Sequence, residues 1–499
     1  MGLSFVGFFW YNVLSILLSI RGLTGRTGGL SMEQMYDLAV IGAGPGGYTA
    51  ALTAAKLGMR VIVFEKRTLG GACLNIGCIP TKALACSASL YQTFQNCAWF
   101  GLSAPQTGFD YAKIHAYKEL CVSQSRENIR AQFEAEGVVY IEGRAAVAGA
   151  RSVRLTTADG VQRMYNARYI LIASGARPNR PLFPGVLLPG VVTSTDVLTD
   201  SQWHYDRVAV IGGGVVGVEL ATILGALGAH VTIIEKKERL LAPMDGELSA
   251  ALETLLRRRG IEVLTNATVE RAAEGDGALT CTVRQGQELS ARTVQRVLVA
   301  VGRKPCLEGL IDDKVPIRAD DRGIIVDENF MTSVRGIYAV GDVLGGVQLA
   351  HLAAAQGMRV VEKLCGKTPS VMLSTVPSCA FVDLPIVPSC IYIDPEIASV
   401  GITETEARKN GIAVRCGKSE MSGNGRAIIS HEESGFIKLV FEAHSHMLIG
   451  AQMMCPRATD MIGEMATAIA NGLTARQLRY AMRAHPTFNE GVAKAILPI

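Results

Sequence analysis

The sequence has few cysteines, little net charge and only one long apolar run. Twelve cysteines in 499 residues are too sparse for the disulfide framework of a small secreted protein. Forty-nine Lys and Arg residues against 45 Asp and Glu residues leave a net charge of +4, which is too small to favour binding to a nucleic-acid backbone. Nucleic acid is therefore not an expected partner.

Apolar residues, by contrast, are plentiful. Hydrophobic residues make up 49% of the chain and charged residues 19%, which excludes a disordered or fibrous protein. The length of 499 residues corresponds to about three domains. We therefore expect a globular chain with several buried cores.

Acidic residues are missing from the first 32 positions. Residues 3–20 form the long apolar run, and Arg21 and Arg26 follow it. The run is at the short end for a membrane span, Asn12 interrupts it, and the basic start of a secretory signal is missing. No stable membrane insertion is therefore expected.

Two interpretations of residues 1–32 stay open. An acidic-poor presequence would predict the mitochondrial matrix, and the arginines together with the missing acids favour it. Alternatively, these residues are translated upstream sequence and the true start is Met32 or Met35, which would predict a cytoplasmic protein.

One local pattern occurs twice, 170 residues apart. A β-branched, apolar strand candidate runs into a glycine-rich turn, an Ala-rich helical stretch and a second strand that ends at an acid. The alignment of residues 39–66 with residues 209–236 gives 12 identities in 28 positions. Such a repeat in the same strand-turn-helix context predicts two dinucleotide-binding units.

Each residue of the repeated motif has a physical role. The first glycine permits the tight turn, the second lets the backbone approach a diphosphate, and the third lets helix and strand pack closely. The helix N-terminus then offers free N–H groups to the diphosphate, and the acid can accept hydrogen bonds from a ribose. The residues concerned are Gly42, Gly44, Gly47 and Glu65 in the first unit, and Gly212, Gly214, Gly217 and Glu235 in the second.

Two nucleotide sites on one chain suggest a flavin and a nicotinamide. Glu235 favours NAD over NADP, because a carboxylate binds a free 2′-hydroxyl and repels a 2′-phosphate. The basic residues Lys236, Lys237 and Arg239 lie close behind it, so NADP stays open as the alternative.

Residues 70–82 read GGACLNIGCIPTK and place Cys73 and Cys78 five positions apart. Such a small disulfide ring is a poor structural staple. A metal site would need two more ligands, and Cys86 has no His or acid companion at metal-ligand spacing, so no metal is expected. A redox pair fits best, and a structural thiol pair is the alternative.

This segment resembles the class I pyridine nucleotide-disulfide oxidoreductases, and the similarity runs from about Tyr36 to the C-terminus. Within the family, the cysteine motif looks most like that of the dihydrolipoyl dehydrogenases, flavoproteins that reoxidise the lipoyl groups of 2-oxo-acid dehydrogenase complexes. The resemblance implies that Cys73 exchanges disulfides with substrate and that Cys78 forms a thiolate beside the flavin. Lys82 would lie one helical turn further on and pair with Glu219.

The segment that begins at residue 484 reads AHPTFNE and resembles the family's base motif. It implies that Glu490 polarises His485, and that this histidine reaches the disulfide of a second subunit. A homodimer is therefore expected. Because proline suits the first position of a helix, Pro486 also predicts a helix that starts there, with His485 as its N-cap.

The resemblance also implies a fold class and domain boundaries. The expected class is α/β, with two Rossmann-like domains for FAD and NAD and a C-terminal α+β dimerisation domain. The expected ranges are a leader (1–32), the FAD domain in two parts (33–181 and 306–375), the NAD domain (182–305) and the dimerisation domain (376–499). Further expected FAD-binding residues are Gly143, Ser174, Gly175, Gly341, Asp342, Gln348, Leu349, Ala350 and His351, and further expected NAD-binding residues are Val269 and Gly302.

The activity implied is FAD-dependent oxidation of protein-bound dihydrolipoamide with reduction of NAD. Its partners would be the lipoyl domains of 2-oxo-acid dehydrogenase or glycine cleavage complexes. A glutathione- or trypanothione-type reductase is the nearest alternative, although it would favour an arginine in place of Glu235. A non-catalytic flavoprotein scaffold is the alternative from another class.

Two features depart from the family pattern. The sequence Val-Pro-Ser-Cys occurs at residues 376–379 and again at 387–390, for which a surface-loop insertion is the simplest interpretation. Asp394 stands where the family usually has His or Asn.

The remaining cysteines are expected to be small buried apolar residues, namely Cys86, Cys97, Cys121, Cys281, Cys306, Cys365, Cys379, Cys390, Cys416 and Cys455.

Overall fold

The computed structural model describes residues 35–104, 108–202, 205–275, 277–371, 373–375 and 384–499. The leader and the first Val-Pro-Ser-Cys copy lie outside these residues. The elements up to the first crossover are β1 (Tyr36–Ile41), α1 (Pro45–Lys56), β2 (Val61–Glu65), α2 (Gly71–Ile76), α3 (Cys78–Gln95), α4 (Tyr111–Ala135), β3 (Val139–Glu142), β4 (Arg144–Gly149), β5 (Ser152–Thr156), β6 (Gln162–Ile172) and β7 (Ala176–Pro178).

The second glycine motif lies among the next elements along the chain. These are β8 (Val191–Thr193), α5 (Ser194–Thr199), β9 (Arg207–Ile211), α6 (Val215–Ala226), β10 (His230–Ile234), α7 (Gly246–Arg258), β11 (Glu262–Leu264), β12 (Ala267–Gly275), β13 (Ala278–Gln285), β14 (Glu288–Val294), β15 (Arg296–Val299) and β16 (Arg303–Pro305).

The last third of the chain begins with β17 (Ala319–Asp320), β18 (Gly323–Ile324), β19 (Ile337–Ala339) and α8 (Ala350–Leu364). It continues with β20 (Ser374–Thr375), β21 (Leu384–Pro385), β22 (Ser389–Ile391), β23 (Ile397–Gly401), α9 (Glu404–Lys409), β24 (Val414–Glu420), α10 (Gly425–Ser430), β25 (Phe436–Glu442), β26 (Leu448–Met454), α11 (Ala458–Ala470), α12 (Ala475–Tyr480) and α13 (Glu490–Ile496).

Each glycine motif follows a strand with parallel neighbours, and the first sheet continues from β6 with the antiparallel strands β5 and β4. In the first sheet, β3, β2, β1 and β6 lie side by side and parallel, with β19 also parallel to β6. In the second, the order β11-β10-β9-β15-β8 is parallel throughout. Every residue of β2 is buried, because Val61 and Val63 pack with helices α1 and α4 on one face and Ile62 and Phe64 pack with strands β4 and β5 on the other.

Two short strands connect these sheets. β7 and β16 pair antiparallel at the two places where the chain passes between the sheets. The C-terminal sheet is antiparallel in the order β22-β23-β26-β25-β24, and α11 packs on β23 and β26. This architecture confirms the predicted α/β fold class with a C-terminal α+β domain.

Residues 71–95 are long and apolar enough to cross a membrane by length and composition alone. They form α2 and α3, which a break at Gly77 separates. Because α3 packs against α4 and α6, we interpret this stretch as part of the folded core.

Candidate functional site

The two glycine turns have the same geometry. A Cβ on Gly42, whose φ is +102°, would lie 2.3 Å from the carbonyl oxygen of Ala173, and one on Gly47 would lie 1.9 Å from that of Gly42. In the second turn, a Cβ on Gly212 or Gly217 would approach a backbone oxygen to 2.5 and 2.0 Å. Only glycine fits the first and third positions of either motif.

The middle glycine of each turn has space in front of it instead. A Cβ on Gly44 would meet nothing nearer than 3.8 Å, and one on Gly214 would meet nothing within 4 Å. These residues precede α1 and α6, and no side chain caps either helix. The free N–H groups and the open approach fit the diphosphate of a dinucleotide at each turn.

The carboxylates of Glu65 and Glu235 are each hydrogen-bonded to the backbone near their own glycine turn. Glu65 accepts hydrogen bonds from the backbone N–H of Ala43 (2.8 Å) and Arg67 (2.9 Å). Glu235 accepts the equivalent bonds from Gly213 (2.6 Å) and Lys237 (2.7 Å). Each carboxylate is therefore fixed beside its glycine turn before a ribose arrives.

Four predicted FAD residues line one cleft next to the first turn: Gly42, Glu65, Gly143 and Ser174. The cleft also contains Cys306, whose carbonyl oxygen accepts the Ser174 hydroxyl at 3.0 Å. Gly175 supports this cleft through Cys306, because its carbonyl accepts the Cys306 N–H at 3.0 Å. This cleft suits the adenosine end of FAD.

Asp342 lies in a short 3-10 helix that starts at Gly341. The Gly341 N–H donates to Gln356 Oε1 at 2.8 Å. Burial raises the pKa of the Asp342 carboxyl, and Arg303, whose Nε lies 3.8 Å away, opposes that shift. Sequence reasoning missed Gln356 and Arg303, because neither stands within the short motif that drew attention to Asp342.

Gln348 and Leu349 lead into α8, which begins with Ala350 and His351. The His351 Nε2 lies 2.8 Å from the carbonyl oxygen of Pro388, so this ring is tied to the start of the C-terminal sheet. Of the two weaker NAD predictions, Val269 lies half-buried in β12. Gly302 lies between β15 and β16 and accepts the Asn179 N–H at 2.9 Å.

The cysteine pair bridges two helices. Cys73 lies in α2, Cys78 is the first residue of α3, and both are half-buried free thiols. A hydrogen bond from Cys73 lowers the pKa of Cys78 to about 7, with help from the charge of Lys82 and against burial. Hydrogen bonding to Cys78 and burial raise the pKa of Cys73.

The two thiols are therefore unequal, and Cys78 is the one that loses its proton more readily. The N-terminus of an 18-residue helix stabilises a thiolate at its first position. Tyr48, which the sequence did not single out, lies beside the pair. Burial raises the pKa of its phenol, and the charges of Cys73 and Cys78 raise it further.

Lys82 and Glu219 form a bidentate ion pair. The Lys82 Nζ lies 2.9 and 2.8 Å from the two carboxylate oxygens of Glu219, whose side chain is only 4% exposed. Glu219 also accepts the backbone N–H of Tyr392 at 2.9 Å, and the Tyr392 ring lies 4.5 Å from the ammonium. The sequence suggested the ion pair but not Tyr392.

His485 and Glu490 also lie together, with 2.9 Å between Nδ1 and Oε1. The Thr487 N–H donates to the other carboxylate oxygen at 3.0 Å. These two bonds keep the pKa of Glu490 below its ordinary value. The predicted helix start at Pro486 is wrong, since α13 begins at Glu490 with Asn489 as its N-cap.

Within the described residues, no hydrogen bond joins His485 to Cys73 or Cys78. The His485 side chain is 77% exposed. The role of His485 toward the disulfide of a second subunit stays a prediction.

The expectation of ten buried cysteines is only partly met. Cys281 and Cys455 are buried, whereas Cys86 is exposed and the other described ones are half-buried. Cys379 lies outside the described residues. Across the described ranges, no cluster of three or more His, Cys, Asp or Glu residues could hold a metal ion.

A dinucleotide cradle beside a polarised thiol pair defines a flavoprotein disulfide reductase. A family model described as "Pyridine nucleotide-disulphide oxidoreductase" matches residues 36–357, and its dimerisation-domain model matches residues 387–496. The chain belongs to the class I pyridine nucleotide-disulphide oxidoreductases, a family that binds FAD and a pyridine nucleotide and carries a redox-active disulfide. The dimerisation domain supports a homodimer.

Named relatives cover most of the chain. It is 35% identical to a dihydrolipoyl dehydrogenase of Geobacillus stearothermophilus over 90% of this chain and 93% of that one. It is 33% identical to a leghemoglobin reductase of Glycine max over 97% of this chain and 92% of that one.

Solved structures agree in fold. LpdA of Mycobacterium tuberculosis matches with a TM-score of 0.83 at 26% identity, over 92% of this chain and 99% of that one. The HOCl-induced flavoprotein disulfide reductase RclA of Escherichia coli matches with a TM-score of 0.80 at 26% identity, over the same shares of the two chains.

Gly47→Ala tests the first turn. The added methyl would meet the Gly42 carbonyl at 1.9 Å, so the turn must open, and we expect the purified variant to lose most of its flavin absorbance. Gly463→Ala in α11, where a Cβ meets nothing within 4 Å, is the matched control and should keep its flavin. Full flavin occupancy of Gly47→Ala would contradict the assignment of this turn.

Thiol alkylation tests the cysteine pair. In the reduced protein, the rate of Cys78 alkylation by iodoacetamide, followed by mass spectrometry, should rise with pH through a midpoint near 7. Lys82→Met should move that midpoint upward, because the cation favours the thiolate. Lys113→Met, which removes an exposed ammonium on α4, should leave it in place, and a wild-type midpoint near 9 would refute the charge assignment.

Proposed function

We propose that the chain oxidises a dihydrolipoyl dithiol to its disulfide and passes the electrons to NAD. The observation that carries this proposal is the position of Cys78 at the first residue of α3, five residues after Cys73 and one helical turn before the Lys82–Glu219 ion pair. The hydrogen bond from Cys73 and the charge of Lys82 lower the pKa of Cys78. The dihydrolipoyl dehydrogenases among the relatives support dihydrolipoyl as the substrate.

The preference for NAD rests on Glu235 and its surroundings. Its carboxylate is fixed by two backbone N–H groups and can accept hydrogen bonds from a ribose diol. Arg239 is turned into its own loop, where it donates to the carbonyls of Ala242 (3.0 Å) and Met244 (3.4 Å). It is therefore not directed at a 2′-phosphate, which weakens the alternative of NADP.

The base for thiol chemistry is the His485–Glu490 pair of the other subunit. Because the Glu490 carboxylate accepts from Nδ1, the Nε2 of His485 is free to take a proton. It takes that proton from one substrate thiol. The resulting thiolate attacks the Cys73 sulfur of the oxidised pair, the Cys73–Cys78 bond breaks, and Cys78 leaves as a thiolate.

The second half of the exchange closes the substrate disulfide. The other substrate thiol gives up its proton, and its sulfur attacks the mixed disulfide at the substrate sulfur and releases Cys73. Of the two substrate protons, one ends on Cys73 and the other stays on His485, so the substrate leaves oxidised and the cysteine pair is reduced. Lys82 and the N-terminus of α3 stabilise the charge on Cys78 once it has left as a thiolate. FAD, when held by the first glycine turn, Glu65 and the Asp342 segment, supplies two-electron exchange between the thiols and a nicotinamide.

Lipoyl domains of 2-oxo-acid dehydrogenase or glycine cleavage complexes are the proposed partners. The proposed compartment is the mitochondrial matrix, on the strength of the acid-free, arginine-containing leader. The alternative, a cytoplasmic protein that starts at Met32 or Met35, predicts a different N-terminal mass. Mass spectrometry of the mature protein distinguishes the two.

Substrate comparison tests the proposed activity. With NADH as donor, lipoamide should be reduced with a higher kcat/KM than glutathione disulfide, and NADH should exceed NADPH by at least about tenfold. Glu235→Ser should narrow the NADH preference, because it removes the charge that repels a 2′-phosphate. Glu238→Ser, in the same loop, is the control and should leave the ratio unchanged.

Three results of this comparison would contradict the proposed function. Faster turnover of glutathione disulfide would favour a glutathione- or trypanothione-type reductase. A preference for NADPH would overturn the role given to Glu235. A flavin-loaded protein that turns over neither disulfide would favour a non-catalytic scaffold.

A further inference from the structure

A fully buried amide supports the segment that carries His485 and Glu490. Asn424 is 1% exposed and is the N-cap of α10. Its Oδ1 accepts the N–H groups of Arg426 (3.0 Å) and Ala427 (3.1 Å), while its Nδ2 donates to the carbonyls of Thr487 (3.1 Å) and Phe488 (3.3 Å). The amide thus forms hydrogen bonds through both its oxygen and its nitrogen.

Thr487 connects this amide to the base. Its N–H donates to Glu490 at 3.0 Å, and its hydroxyl donates to the carbonyl of Ala484 at 2.7 Å. Glu490 in turn holds the His485 Nδ1 at 2.9 Å. In the part of the chain that the structure describes, Asn424 forms no hydrogen bond with His485 or Glu490, but it fixes the backbone of Thr487, which orients Glu490.

In the described part of its own chain, the His485 imidazole is held mainly by Glu490. His485 is 77% exposed, and in the described part of the chain Glu490 is its hydrogen-bonding side-chain partner. Its position therefore depends on the backbone of residues 484–490. An error of about 1 Å in the placement of a reacting group can cost a large factor in rate.

We propose that Asn424 is a positioning residue for the His485–Glu490 base, acting through the backbone of Thr487 and Phe488. The inference deepens the proposed function and rests on it, because His485 matters to catalysis only if the chain exchanges thiols.

A second contact holds the same segment independently. The two carboxylate oxygens of Glu464, on α11, accept from Arg483 Nη2 (2.5 Å) and from Asn489 Nδ2 (3.0 Å). These bonds fix the residues on either side of the His485–Thr487 turn. Removal of the Asn424 donors should therefore loosen the turn locally without unfolding the domain.

Asn424→Ser is the informative variant. Serine is an equally good N-cap, so α10 keeps its cap, but the shorter side chain cannot reach the carbonyls of Thr487 and Phe488. In the holoenzyme we expect kcat for dihydrolipoamide oxidation to fall roughly tenfold, with little change in KM. NADH oxidation by ferricyanide, which requires no proton transfer from a dithiol, should be unchanged.

Hydrogen exchange provides a readout that needs no substrate. The Thr487 amide, which donates to Glu490, should exchange at least about tenfold faster in Asn424→Ser, while α11 keeps its protection. Asn471→Ser is the matched control, since it removes an exposed amide that donates to a helix carbonyl, Thr467 O, at 2.9 Å in the same domain. It should behave as wild type in every assay.

The outcomes separate this inference from the proposed function. Wild-type kcat and wild-type Thr487 exchange in Asn424→Ser would overturn the role of Asn424. Equal losses of dithiol and ferricyanide turnover would also overturn it, because they would indicate general damage. If the wild-type protein oxidises no dithiol, the proposed function fails and a catalytic role for Asn424 fails with it, whereas Thr487 exchange still reports whether Asn424 holds the segment.

Discussion

The Lys82–Glu219 ion pair is the interaction on which the site depends. Glu219 is almost fully buried on α6, and an unpaired carboxylate there would be strongly destabilising. It is stabilised by an ammonium from α3 and by the backbone N–H of Tyr392. One carboxylate thus joins the thiol-bearing helix, the second dinucleotide unit and the start of the C-terminal sheet.

The Lys82–Glu219 ion pair also affects the pKa of Cys78. Lys82 lies one helical turn after Cys78, so fixing its ammonium against Glu219 fixes the distance between the positive charge and the Cys78 sulfur. The cation lowers the pKa of Cys78, and Glu219 opposes that shift. Because the thiolate also accepts from Cys73 and lies at a helix N-terminus, the two sulfurs carry different charge although they are only five residues apart.

Much of this site could be predicted from short sequence patterns, for a physical reason. Glycines at a dinucleotide turn are required by backbone approaches below 3 Å, so the pattern is visible in any sequence that makes the turn. The residues that sequence reasoning missed, such as Tyr48, Tyr392 and Arg303, act across long stretches of chain. No local spacing marks them, and only the packed sheets bring them to the site.

The wrong helix start at Pro486 has a similar cause. Proline favours the first position of a helix, but a helix also needs its backbone groups for its own hydrogen bonds. A helix that started at Pro486 would use the Thr487 carbonyl to accept the N–H of Gly491. Here that carbonyl accepts from the Asn424 amide and the Gly491 N–H donates to Phe488, and the helix begins only at Glu490.

The two halves of the site are ordered by different forces. In the thiol half, Cys73 and Cys78 are half-buried and the Lys82 ammonium is close, so charge interactions within one chain order this half. The His485 half is exposed on its own chain, where the Glu490 carboxylate bonds to the imidazole and the Thr487 N–H bonds to that carboxylate. Such a division suits a site shared between two copies, because each half is in place before the chains meet and association has only to bring an oriented imidazole to an already polarised sulfur pair.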